Sequence, residues 1–99
     1  MRARGQKVTV RLIMGAHWLP ERKSRNILIT IPGTELPDEY VVFGGHSDSW
    51  DIAPGAMDDG GGIVSSWEAM RLLHELELKP KRTIMGVFWV NEEDGARGG

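Results

Sequence analysis

Two runs that are apolar at consecutive positions, Tyr40–Gly44 and Thr83–Val90, stand on either side of a helical stripe, and no other feature limits the fold of this chain as strongly. A strand with apolar side chains on both faces needs cover on both faces, as a central strand of an α/β sheet has. Between the runs, Ile63, Trp67, Met70, Leu73 and Leu76 recur at three- and four-residue spacing. That period predicts an amphipathic helix from about Gly61 to Leu78. Lys79-Pro80-Lys81 closes it with positive charge and a helix breaker. A strand, a helix and a strand in this order make a crossover, which sets the two strands parallel in one sheet.

Two further strands are predicted upstream. Lys7–Met14 alternates, with Val8, Val10 and Leu12 on one side and Thr9 and Arg11 on the other. Asn26–Ile31 is a short β-branched run. A turn-rich connection with Pro32-Gly33 and Pro37-Asp38 follows it, so this strand is expected to lie antiparallel beside Tyr40–Gly44. The order β-β-β-α-β gives an α/β fold with part of a mixed, largely parallel sheet and flanking helices, incomplete in this chain. Thr83–Val90 is expected to be left as an exposed edge. Trp50, Trp67 and Trp89 are core candidates, and Trp50, in the loop, could instead line a substrate pocket.

Composition narrows the function. The chain has 99 residues, 40% of them hydrophobic, no cysteine and a net charge of -2. A disulfide framework and a cysteine-ligated zinc site are therefore excluded, and no global charge argues for nucleic acid. No apolar run reaches the roughly 18 residues of a membrane span. Met1-Arg2-Ala3-Arg4-Gly5 is basic but lacks the apolar stretch of a secretory leader. Residues 1–25 hold seven Lys/Arg and one acid, read as a solvated basic face, whereas residues 26–99 hold thirteen acids and five Lys/Arg.

Those acids gather at three places. His46 and Asp48 follow one predicted central strand, Glu92 and Glu93 follow the other, and Asp58 and Asp59 precede the helix. In a parallel α/β sheet ligands bind beyond the carboxyl ends of the strands, so all three groups are expected on one rim. One histidine with several carboxylates is a donor set for zinc or another divalent cation. A carboxylate two residues beyond a ligating histidine can fix its tautomer. Of two adjacent glutamates on an extended chain, one can bind metal while its neighbour acts as general base. Either Asp58 or Asp59 could cap the helix, and Asp59 is read first as a cap. Gly60-Gly61-Gly62 lacks the Lys-Ser/Thr of a phosphate loop and follows two acids, which argues against a nucleotide. His17 lies in a predicted loop and His74 on the predicted helix near its stripe. Arg97 is read as a solvated side chain.

The stretches Gly44-Gly45-His46-Ser47-Asp48-Ser49-Trp50-Asp51, Pro54-Gly55-Ala56-Met57-Asp58-Asp59-Gly60-Gly61-Gly62 and Asn91-Glu92-Glu93-Asp94-Gly95 resemble the zinc exopeptidases of the aminopeptidase and glutamate carboxypeptidase group. The resemblance runs from about Gly5 to Gly99. It implies that His46 ligates one metal, Glu93 the other, and Asp58 bridges both. It further implies that Asp48 orients His46 and that Glu92 is the catalytic base, and it makes the Asp58–Asp59 peptide a candidate for a cis bond.

By the same resemblance the cofactor is Zn2+, two ions per complete site, and the substrate is a dipeptide or short peptide. A homodimer and a place in the secretory pathway, outside the cell or in the lysosome, are implied in the same way. Two more ligands, an Asp and a His, are implied downstream of the Glu-Glu pair. Residues 1–99 are therefore expected to be the N-terminal part of a metallopeptidase catalytic domain, inactive by itself. The alternative is a non-catalytic, receptor-like relative on the same fold, against which the intact His46, Asp58, Glu92 and Glu93 argue.

Overall fold

A computed structural model describes residues 7–99. Arg2, Arg4 and the rest of the basic stretch Met1–Gly5 lie outside the described residues. Three strands and one helix form, namely β1 (Ile27–Ile31), β2 (Leu36–His46), α1 (Gly60–Glu75) and β3 (Arg82–Trp89). The crossover is as expected: β2 and β3 pair in parallel, with Val41 opposite Ile84 and His46 opposite Trp89. The result is a mixed sheet carrying one helix, an incomplete α/β unit.

The sheet order is β1-β3-β2, which corrects two expectations. β1 does not neighbour β2; it pairs antiparallel with the far side of β3, Ile27 opposite Phe88 and Ile31 opposite Ile84. β3 is accordingly the central strand and no edge, and its two apolar faces and two satisfied ladders agree with its sequence. The short connection from β1 to β2 passes across the entrance of β3. Thr34 donates its N–H to the Pro80 carbonyl, Leu36 donates to the Lys81 carbonyl, and Gly33 donates to the Thr83 hydroxyl. Turn residues between two strands indicate a reversal of direction; they do not say whether a third strand slots between.

Lys7–Met14 forms no strand, a third correction. Val8, Val10 and Leu12 are 80%, 88% and 79% exposed. Alternation gives a segment one apolar face, but a strand also needs a ladder of hydrogen bonds, and no described residue supplies one to this run.

Helix α1 lies on one sheet face. Met70 sits over Gly86, and Gly45 lies beneath the first turn. Among the described residues Met70, Val87 and Phe88 are the buried apolar side chains, each contributing about 1.5–3 kcal/mol by burial. One helix cannot cover three strands, so the expected core tryptophans are not core: Trp50 and Trp67 are exposed and Trp89 is half-buried. Leu76, at the end of the helical stripe, is exposed for the same reason.

Candidate metal centre

The carboxyl ends of β2 and β3 and the start of α1 meet at one rim. There one ligand atom from each of His46, Asp58 and Glu93 lies within 4.8 Å of the others. Glu92 stands beside this trio, its Oε2 3.9 Å from His46 Nε2. The parallel register carries His46 to the end of β2 just where β3 releases Glu92 and Glu93. Asn91, in the left-handed region at φ 60°, begins the turn that follows. Asparagine tolerates that conformation better than most residues. The Asp58–Asp59 peptide is cis.

Hydrogen bonding sets the tautomer of His46. Its Nδ1 lies 3.0 Å from the Asp48 backbone carbonyl, which only accepts, so Nδ1 carries the hydrogen. Nε2 then offers its lone pair to the rim, 3.0 Å from Asp58 Oδ1. Lone pairs of Nε2, Asp58 and Glu93 thus face one another, an arrangement that calls for a proton or a cation between them. Among the described residues, no Lys or Arg forms an ion pair with Asp48, Asp58, Glu92 or Glu93. The donor set therefore fits a divalent cation.

The ionisation preferences have the same origin. Burial lowers the His46 pKa, but the Asp48 carbonyl, the Asp58 carboxylate and the charges of Asp59 and Glu92 outweigh it, and the net shift is upward. Glu93 is pushed up by burial and then by the charge of Asp58; His46 opposes this, and Glu92 and Asp48 add to it. A cation among these oxygens would offset the repulsion that raises Glu93.

Asp48 stands in a different position from the one its spacing suggested. Its carbonyl, not its carboxylate, is the nearer acceptor for His46; the carboxylate Oδ1 is 3.6 Å from Nδ1. That carboxylate accepts the backbone N–H of Glu92 at 2.9 Å and of Glu93 at 3.1 Å. Burial raises the Asp48 pKa, but these two N–H bonds, the N–H of Asp48 itself and the charge of His46 together outweigh it, so its carboxyl titrates below the ordinary range. One residue thus touches both the histidine and the backbone of both glutamates. The long-range half of this arrangement had no signal in the sequence, because any backbone N–H can be the donor.

Asp59 caps α1 and does more. Its Oδ1 accepts the N–H of Gly62 and its Oδ2 accepts the N–H of His46, 3.0 and 3.1 Å away. A Cβ on Gly45 or on Gly62 would collide with this carboxylate, so both positions need glycine for the close approach. Two acceptors in use explain aspartate over asparagine, whose NH2 would face one of the N–H groups. Replacing Asp59 by alanine is expected to lower the unfolding free energy by about 1–2 kcal/mol, with asparagine between the two. Urea denaturation measures it, and an unchanged midpoint in the alanine variant would remove Asp59 from this role.

Other candidates stay apart. Among the described residues His17 hydrogen-bonds only to the Gly15 carbonyl, at 3.4 Å, and His74 lies near the far end of α1. Trp50 is exposed in the loop between β2 and α1. Arg97 is paired with Glu21 at 3.0 Å and lies over the Trp18 ring.

Known proteins resemble this chain over most of its length. Carboxypeptidase Q of Rattus norvegicus is 47% identical over 98 residues, covering 99% of this chain and 21% of that protein. A probable aminopeptidase of Saccharomyces cerevisiae is 35% identical over 89 residues, covering 79% of this chain and 24% of its own length. A probable zinc metalloprotease of Pyrenophora tritici-repentis is 39% identical over 80 residues, covering 73% of this chain and 18% of its own. The chain therefore spans about a fifth of the length of the carboxypeptidase Q relatives. The model of Peptidase family M28 matches residues 26–99, the stretch that holds every strand, the helix and the rim cluster, and the chain belongs to that family.

Proposed function

We propose that this chain carries the catalytic base and part of the metal centre of a zinc-dependent exopeptidase acting on dipeptides or short peptides. The convergence of His46, Asp58 and Glu93 within 4.8 Å carries the reading. His46 would hold one ion, Glu93 the other, and Asp58 both. Bound zinc supplies Lewis acidity at the scissile carbonyl and makes water a stronger acid. Glu92, outside the trio and 48% exposed, is free to take a proton from water and return it to the leaving amine. Asp48 holds the Glu92 and Glu93 backbone and the His46 ring in one unit, so base and ligands keep their mutual placement.

The names of the relatives differ over which peptide end is attacked, since one is a carboxypeptidase and another a probable aminopeptidase. They agree on removal of terminal residues, and zinc stands in the name of a third. Residues 1–99 are read as the N-terminal part of the catalytic domain, with further ligands supplied by the rest of a longer enzyme.

The test is hydrolysis of a dipeptide panel by the complete enzyme before and after dialysis against a chelator, with metal content measured in parallel. Chelation should remove at least 90% of the activity (roughly a tenfold loss or more, as expected when a catalytic metal departs), and added zinc should restore it. Activity that persists after the metal has gone would exclude the reading.

A further inference from the structure

Glu92 and Glu93 lie in a short loop that leaves the end of β3 and returns to it. Inside the loop, Ala96 donates to the Glu92 carbonyl at 2.7 Å and Arg97 donates to the Asn91 carbonyl at 3.2 Å. Its head is held by Asp48, as described above. Its base is held by one side chain from another part of the chain. Asn26, the residue before β1, accepts the Val90 N–H through Oδ1 at 2.9 Å and donates through Nδ2 to the Gly98 carbonyl at 2.6 Å. Antiparallel pairing of β1 with β3 begins at Ile27 opposite Phe88, so the Asn26 amide takes over where the backbone ladder stops. The two chain segments are close enough there that a Cβ on Gly98 would collide with the Val90 carbonyl.

We propose that Asn26 is a positioning residue for the metal centre, closing the base of the loop that carries Glu92 and Glu93 and so fixing where both carboxylates stand. The amide is the group that the site requires, because the clamp needs one acceptor and one donor on the same planar head. Aspartate at this position would keep the bond from Val90 but turn a carboxylate oxygen toward the Gly98 carbonyl. The Asn26 amide bonds to Val90 and Gly98 and not to the ligand trio or Glu92, so it acts through the loop.

The inference rests on the proposed metal-dependent activity, and the experiment separates the two. In the complete enzyme, Asn26→Asp should weaken zinc binding about tenfold and lower kcat about tenfold, the scale of changes to groups that support ligands, with KM unchanged. In a Glu93→Gln background the same substitution should add no further loss of zinc affinity, because its route to the metal is through that ligand. Gly98→Ala, which opens the same clamp from its other side, should reproduce the effect without touching Asn26. Zinc affinity and kcat within twofold of the parent in both variants would overturn the proposal, as would a loss that persists undiminished in the Glu93→Gln background. If the parent enzyme binds no zinc, the metal reading falls and the clamp is read by amide hydrogen exchange at Glu92 and Glu93. Faster exchange in Asn26→Asp supports it, and unchanged exchange overturns it.

Discussion

Glu92→Ala in the complete enzyme is expected to lower kcat by roughly a hundred- to ten-thousand-fold, the usual contribution of a positioned general base, with zinc content unchanged. Both halves of the expectation come from the geometry. The Glu92 carboxylate lies outside the trio of possible ligands, 3.9 Å from His46 Nε2, and is half exposed to solvent. Its tie to Asp48 is made by its backbone N–H, which alanine keeps. The variant therefore loses the proton acceptor and little else. Steady-state kinetics and elemental analysis of the purified variant measure the two quantities. Near-normal turnover would remove Glu92 from its role, and loss of zinc would make it a ligand.

Asp58→Ala should do the reverse. If Asp58 is shared by two ions as proposed, the change should weaken zinc binding by more than about 100-fold, beyond the range seen for groups that only support ligands. Activity should fall with it. Stability of the metal-free protein should hardly move, within about 0.5 kcal/mol, because the Asp58 side chain is 76% exposed and among the described residues bonds only to His46. Asp58→Asn, which keeps the shape and removes the charge, should lose metal as well. Zinc titration and thermal unfolding of the same samples separate these effects, and full zinc occupancy in the alanine variant would reject the bridging assignment.

The contrast between Asp58 and Asp59 shows how far residue types alone can be read. Adjacent in sequence and identical in chemistry, they face different ways. Asp59 turns inward onto two backbone N–H groups, and Asp58 turns outward to the His46 ring. Their spacing before a helix identifies a cap and leaves open which residue provides it. Asp48 teaches the same lesson, since its nearness to His46 is visible in the sequence and its grip on Glu92 and Glu93 is not.

Several features were decided by local physics that a sequence displays directly. The crossover from β2 through α1 to β3 follows from apolar runs and helical period, because those patterns reflect which faces must leave water. The rim holding His46, Asp58 and Glu93 follows in turn, since a parallel pair must end on the same side. Tertiary structure decided what depends on partners distant in the chain. It placed β3 between β1 and β2, left Lys7–Met14 unpaired, exposed Trp50 and Trp67, and set Asn26 against Val90 and Gly98. Hydrogen-bond donors and acceptors on the backbone are the same at nearly every residue, so the sequence determines where polar groups and strands occur, and only the assembled sheet determines which of them meet.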